Sequence, residues 1–290
     1  MARLVLGAPG LGMLTARRLA VWGDPIGHSR SPLLHAAAYA ALGLDWTYDR
    51  RRVREDGFET AIGSLDADWR GLSLTMPLKS AAFRWATTRD RNAELTGAVN
   101  TLLLGAEGAT GLNTDVGGIV GALRESGFDD VESARIIGTG ATATSALVAL
   151  QELGAREVDV RARRPEGAAT LIRLGDELGV RVTASALGAQ PVDHVPLTVA
   201  ALPGDAVVAD GVTVALAAAG GTLFDVVYGT WPTPLGAAWE RAGLPATSGL
   251  GMLLHQALLQ VRAFTNGDAQ HPLTDEARVL AEMRRAVVGD

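Results

Sequence analysis

The stretch ARIIGTGATATSALVALQELG, Ala134 to Gly154, limits the possible folds more than any other part of the chain. It reads as a strand, a glycine turn and a helix. EVDVRARRPEGAATLIRLGDELG, starting at Glu157, repeats the order as strand, basic turn and helix. LTVAALPG and TLFDVVYG, starting at Leu197 and Thr222, read as short buried strands rich in β-branched residues. Such alternation predicts a parallel sheet with helices on both faces. A glycine turn between strand and helix also lets backbone amides approach a pyrophosphate at the helix N-terminus. Gly138, Gly140 and the following Ala141 are therefore candidate cofactor-binding positions.

An earlier glycine cluster, Gly7, Gly10 and Gly12, lies in LVLGAPGLGMLTARRLA. Too few residues separate it from VWGDPIGHSRSP for a βαβ unit. Residues 1–12 read as a poorly structured leader, with the fold beginning near Met13. Strands are expected at Arg18–Trp22, Asp45–Arg50, Gly71–Met76 and Val99–Leu104. A helix is expected from Pro32, with Ser31 as N-cap, to near Gly43. Another is expected from Glu55 to Ser64. The last 40 or so residues read as helical, with Thr274 as N-cap of the final helix. This tail is expected to pack back on the first domain.

Bulk properties narrow the classes. The 290 residues are comfortable for two domains. The 48% apolar and 20% charged content suits a globular protein with a full core. A net charge of −6 argues against a nucleic-acid partner. With no cysteine, disulfides, thiolate chemistry and cysteine-ligated zinc are excluded. His28, His35, His194, His255 and His271 show no metal-ligand spacing, so no metal is expected. No apolar run approaches the ~18 residues of a membrane span, and no signal peptide is evident. The expected location is the cytoplasm.

The end of the strand after the glycine turn governs cofactor choice. An acid there binds the ribose 2′-hydroxyl of NAD, whereas arginines favour the 2′-phosphate of NADP. Arg161, Arg163 and Arg164 stand there, and Asp159 falls mid-strand. The alternative is a solvated basic loop; in a net negative protein the arginines favour NADP.

RGLSLTMPLKSAA, starting at Arg70, poses a second question. Alternation across Leu72, Leu74 and Met76 reads as a half-buried strand. Pro77 stops it, having no amide donor for the ladder. Lys79 follows at once. It is either a solvated loop lysine or a lysine delivered to a pocket for proton transfer.

Seven blocks together resemble the shikimate dehydrogenase family: GDPIGHSRSPLLHAAAYAALGL, GLSLTMPLKSAA, GAVNTLL, GLNTDVGG, GTGATATSA, FDVVYGTWPTPL and GLGMLLHQALLQ. They fall in the family's order and span roughly residues 18–266. The resemblance implies two α/β domains with a cleft between. Residues 13–114 plus 249–290 would form the substrate domain, and 115–248 a Rossmann-like NADP domain. It implies reversible, NADP-dependent reduction of 3-dehydroshikimate to shikimate, in aromatic amino-acid biosynthesis, by a monomer or homodimer. By analogy, Ser29 and Ser31 would bind the substrate carboxylate. Thr75, Lys79, Asn100, Asp115 and Gln256 would surround the ring hydroxyls. Tyr228 would help close the site, and Gly249 and Met252 would lie near the nicotinamide.

The chain departs from the family's pattern at Ala36 after His35, at Ala141 in the glycine turn, at the arginine-rich turn, and at TVAALPG. Carbonyl reduction needs a hydride and a stabilised, then protonated, alkoxide. Lys79 beside Asp115 is the candidate for the second task, and such a pair titrates as a unit. Several residues keep a structural alternative. Asp115 and Ser31 are also good helix caps. Asn100 could satisfy backbone groups at a strand end. Gln256, on an apolar helix, needs a polar partner. Tyr228 could be a core-edge tyrosine. Rival functions are an NAD-using quinate or quinate/shikimate dehydrogenase, a non-catalytic NADP-binding sensor, and another two-domain dehydrogenase acting on folate or amino acids.

Overall fold

The computed structural model describes residues 17–288. The expected leader, residues 1–12, and its glycine cluster lie outside them. The chain forms two compact units. One runs through Thr114 and resumes at Ala257; the other is Asp115–Gln256. The return crossing falls inside a helix rather than at Gly249.

The strands of the first unit are β1 (Arg18–Gly23), β2 (Thr47–Arg52), β3 (Trp69–Leu74), β4 (Thr88–Arg89), β5 (Thr101–Gly105) and β6 (Gly108–Leu112). Their order is β2-β1-β3-β5-β6-β4. β1 runs parallel to both neighbours, while β3/β5 and β5/β6 are antiparallel. The sequence explains these positions. RLAVWG is buried beyond its first residue, as suits a strand covered on both faces. TYDRRR buries only Tyr48 and keeps its charges outward, as an edge strand does. β4 and β6 were not expected. Trp22, Phe58, Leu72, Leu78 and Leu102 anchor the core.

Four helices follow these strands: α1 (Ser31–Leu42), α2 (Phe58–Gly63), α3 (Lys79–Trp85) and α4 (Arg91–Thr96). α1 ends at Gly43 with φ 68°, the left-handed stop that glycine supplies. Ser31 is the first helical residue, not its cap; its amide donates to the Ser29 hydroxyl. The expected 55–64 helix is a 3₁₀ turn leading into α2.

The second unit begins with α5 (Asp115–Glu125). Its sheet comprises β7 (Ser133–Ile137), β8 (Glu157–Ala162), β9 (Arg181–Ala186), β10 (Leu197–Ala200), β11 (Thr222–Asp225) and β12 (Ala246–Thr247). The order is β12-β11-β10-β7-β8-β9, and every pair is parallel. α6 (Ala141–Glu152), α7 (Ala169–Leu178), α8 (Asp210–Ala218) and α9 (Pro234–Arg241) supply the crossovers. The exception is the link from β9 to β10, which lacks a helix. Arg135 and Arg161 hold this link instead. Arg135 donates to the Asp193 carbonyl, and Arg161 to those of Ala189 and Pro191.

α10 (Leu250–Asn266) carries the return crossing, and α11 (Glu276–Val288) packs along α1 in the first unit. Arg30, within the serine motif, donates to the Val287 carbonyl near the end of α11. Asp275, not Thr274, precedes the first turn of α11; its carbonyl accepts from Arg278 and Val279.

Candidate active site

Within the first unit, five of the expected residues gather at one edge of the sheet. β1 and β3 are parallel, so their carboxyl ends open on the same side. The loop after β1 leads to Ser29 and Ser31, both buried. The loop after β3 carries Thr75 and then Lys79, the half-buried first residue of α3. The two loops touch at Gly23, where a Cβ would lie 2.4 Å from Thr75 Cγ2 and 2.9 Å from the Met76 carbonyl. Only glycine allows that approach. Asn100 is drawn in by the backbone: the Leu74 amide donates to its carbonyl (2.7 Å), and the Val99 amide to the Lys79 carbonyl (3.0 Å).

Asn100 is buried and fixed. Its Oδ1 accepts from the Thr101 hydroxyl (2.8 Å) and the Thr114 amide (2.9 Å), and its Nδ2 donates to Thr114 Oγ1 (2.9 Å). Asn113 is held as firmly. Its amide donates to the Asp90 carboxylate, and its side chain to the Thr96 hydroxyl. Asp90 also caps α4 through the Ala93 amide. Burial raises the Asp90 pKa, against the pull of the Ala93 and Asn113 amides. The segment entering Asp115 is thus pinned on two consecutive residues.

In the second unit, Asp115 is the buried first residue of α5, where an acid complements the helix dipole. Gln256, also buried, donates to the Leu253 carbonyl of its own helix, so part of its polar demand is met locally. Tyr228 is half-buried, beyond β11. Gly249 donates to the Val227 carbonyl, and a Cβ there would sit 2.1 Å from the Val226 carbonyl. Met252 is buried on α10.

The second sheet also fits a dinucleotide. Strand order reverses between β7 and β10, and ligands of such sheets bind outside the strand ends at that point. Gly138 follows β7 with φ 120°, and a Cβ there would meet the Ala201 carbonyl at 2.6 Å. Gly140 precedes α6, with nothing within 4 Å of where its Cβ would point. Ala141, in place of a third glycine, is only half-buried. Arg163 and Arg164 are exposed at the end of β8.

Arg161 differs from Arg163 and Arg164. Its side chain is 6% exposed and engaged, pairing with Asp159 at 2.9 Å as well as holding the β9–β10 link. Asp159 also pairs with the fully buried Arg135, its register partner on β7. Asp159 and Arg161 are two apart on one strand and share a face. That alternation was the available signal.

Comparison with known proteins identifies the family. Residues 21–102 match the shikimate dehydrogenase substrate binding domain. A shikimate dehydrogenase (NADP(+)) of Methylobacterium radiotolerans is 34% identical, with 94% of this chain and 97% of the relative aligned. One from Acidiphilium cryptum is 35% identical, with 95% and 97% aligned. The chain belongs to the shikimate dehydrogenase family. Its fold superposes on the Mycobacterium tuberculosis shikimate dehydrogenase with a TM-score of 0.80 and 39% identity, covering 92% of this chain and 99% of the other. The Thermus thermophilus enzyme, solved with NADP(H) and shikimate, gives 0.76 and 29%, covering 93% and 100%. The resemblance drawn from the seven sequence blocks is borne out, as is the two-sheet α/β architecture of the family.

Sequence reasoning missed the groups beneath the site. His35, Ser73, Thr101, Thr114 and Gln260 are buried polar residues in hydrogen bonds that cross the first unit. No spacing announces them, since their partners lie up to 225 residues away.

Proposed function

We propose that this protein is an NADP-dependent shikimate dehydrogenase, catalysing the reversible reduction of 3-dehydroshikimate to shikimate. What supports this most is family membership over nearly the whole chain, together with the five substrate-side residues of the first unit at one edge of its sheet. The reading places the enzyme in the cytoplasm as a monomer or homodimer. Among the described residues, no helix is long and apolar enough to cross a membrane.

Gly138, Gly140 and Ala141 would receive the cofactor pyrophosphate, Arg163 and Arg164 the 2′-phosphate, and Gly249 and Met252 the nicotinamide. When bound, the cofactor supplies or accepts the hydride. The chain's own residues do the rest. Ser29 and Ser31 hold the substrate carboxylate, and Tyr228 helps close over it. Thr75, Asn100 and Gln256 orient the ring hydroxyls. The Lys79 ammonium stabilises negative charge growing on the carbonyl oxygen and gives it a proton. In the oxidation direction Lys79 takes the proton back. Asp115 shares the charge of this exchange.

Absorbance at the nicotinamide band, with shikimate or quinate against NADP or NAD, tests the reading. Shikimate with NADP is the expected best pair. Preference for NAD and quinate overturns it in favour of a quinate dehydrogenase, and inactivity with all four favours a sensor. Lys79→Ala should lower turnover by ~10²–10⁴-fold, the usual worth of such proton transfer, while shikimate binding changes less. Collapse of binding with turnover intact at saturation makes the lysine a substrate hook only.

A further inference from the structure

A buried polar network underlies the substrate-side residues of the first unit, and Gln260 is its centre. The Gln260 Oε1 accepts from the Ser73 hydroxyl (2.8 Å) on β3 and faces His35 Nε2 (3.2 Å) on α1. Its Nε2 donates to the Asn100 carbonyl (3.3 Å) and the Thr101 hydroxyl (3.0 Å) on β5. Reversing the carboxamide would set its oxygen against the Asn100 carbonyl, so the orientation is unique. All four polar contacts of the carboxamide then join elements that carry substrate residues. Gln260 is only 2% exposed, too deep to meet a ligand.

The network reaches Asn100 twice. Gln260 holds its main-chain carbonyl directly. It also donates to Thr101, whose hydroxyl donates to Asn100 Oδ1 at 2.8 Å. The Thr114 amide fixes which end of the Asn100 carboxamide is oxygen, and the relay brings a second donor to that oxygen. On the other side, His35 stacks on Tyr48 of β2, next to β1 and the loop that leads to the serine motif.

We propose that Gln260 is a positioning residue for substrate binding, setting the orientation of Asn100 and its register to the serine motif through Thr101, Ser73 and His35. The inference rests on the functional reading above, in which Asn100 meets a ring hydroxyl and Ser31 the carboxylate. A group that orients ground-state contacts changes substrate binding more than turnover. The cofactor-binding positions lie in the other unit, so their affinity is not its concern.

The experiment uses the full chain with Gln260→Met, of similar length but without these hydrogen bonds, and Thr101→Val, which cuts only the relay. Shikimate KM, kcat, NADP affinity and Tm are measured for each. The shikimate KM should rise about tenfold or more in Gln260→Met, with kcat within about threefold and NADP affinity unchanged. Thr101→Val should move KM in the same direction, and it decides the matter if Gln260→Met does not fold. Adding Gln260→Met to Asn100→Ala should raise KM no further. A fall in Tm with an unmoved shikimate KM overturns the inference, as does full additivity with Asn100→Ala. A wild-type chain inactive on shikimate overturns the functional reading itself, and this inference with it.

Discussion

The imidazole of His35 lies flat on the phenol ring of Tyr48, with centroids 3.8 Å apart and planes 9° from parallel. Gln260 Oε1 can only accept, so His35 Nε2 carries the proton. Nδ1 then accepts from the Tyr39 hydroxyl at 3.0 Å. The neutral ring is satisfied at both nitrogens, and a second proton would displace Tyr39. Burial therefore lowers the His35 pKa from 6.5 to about 3, although the Gln260 bond pulls the other way.

A pH dependence of stability follows. Above pH 6.5 neither folded nor unfolded His35 is protonated, and the neutral ring's contribution is complete. Between 6.5 and about 3 the unfolded chain binds a proton that the folded one refuses. Stability should fall by about 1.4 kcal/mol for each pH unit in that window. Urea unfolding at pH 7.5, 6 and 5 measures it. His35→Gln, which does not titrate there, should flatten this part of the profile. Equal slopes in wild type and variant contradict the assignment.

The arginines at the end of β8 should separate into two kinds. Arg163→Ala and Arg164→Ala should each raise the KM for NADP, by about tenfold or more per charge-assisted bond lost, and leave the KM for NAD little changed. Arg161→Ala should instead destabilise the second unit by ~1–3 kcal/mol, because it takes donors from the Ala189 and Pro191 carbonyls and from Asp159, which keeps Arg135. Measurement of both cofactor constants and of Tm distinguishes them. A selective NADP defect in Arg161→Ala, with Tm unchanged, contradicts the structural role.

These cases show what the sequence made legible. The β7–α6–β8 run was readable because glycine punctuation and β-branched apolar residues act locally. β9 and β12 were not, since RVTASA is largely exposed at a sheet edge and β12 is two residues long. β6, GATGL, has two glycines and acquires its strand character from pairing with β5. The end of β3 shortly before Lys79 was legible from Pro77. Gln260 was not, because a second glutamine on a largely apolar helix gives no hint of which distant strands it will meet.

The glycine turn offers a paired test. Gly138→Ala meets two obstacles, a φ of 120° and a Cβ 2.6 Å from the Ala201 carbonyl. The backbone conformation alone costs ~1–3 kcal/mol for an L-residue. This variant should lose both stability and NADP binding. Gly140→Ala has open space at its Cβ. It should keep Tm within a few degrees yet weaken NADP binding, since the methyl would occupy the approach of the pyrophosphate. Unchanged NADP affinity in Gly140→Ala contradicts the placement of the cofactor at this turn.

Thr233 does two jobs with one hydroxyl. It accepts from the Gly236 amide at 3.1 Å, capping α9, and donates to Asp225 at 2.7 Å. Burial raises the Asp225 pKa, while the bonds from Thr233 and the Val227 amide lower it. Thr233→Val removes the cap, worth ~1 kcal/mol, and takes a donor from a buried carboxylate, at ~1–3 kcal/mol more. Thr233→Ser keeps the hydroxyl and should recover most of that loss. Asp225 ends β11, and the chain from Val226 to Tyr228 follows it directly. A slackened Asp225 should therefore also raise the shikimate KM through Tyr228, an effect that Thr233→Ser should reverse. Urea unfolding and steady-state kinetics on the two variants test both halves. Thr233→Val with wild-type stability contradicts the cap, and wild-type kinetics with lowered stability confines Thr233 to holding α9.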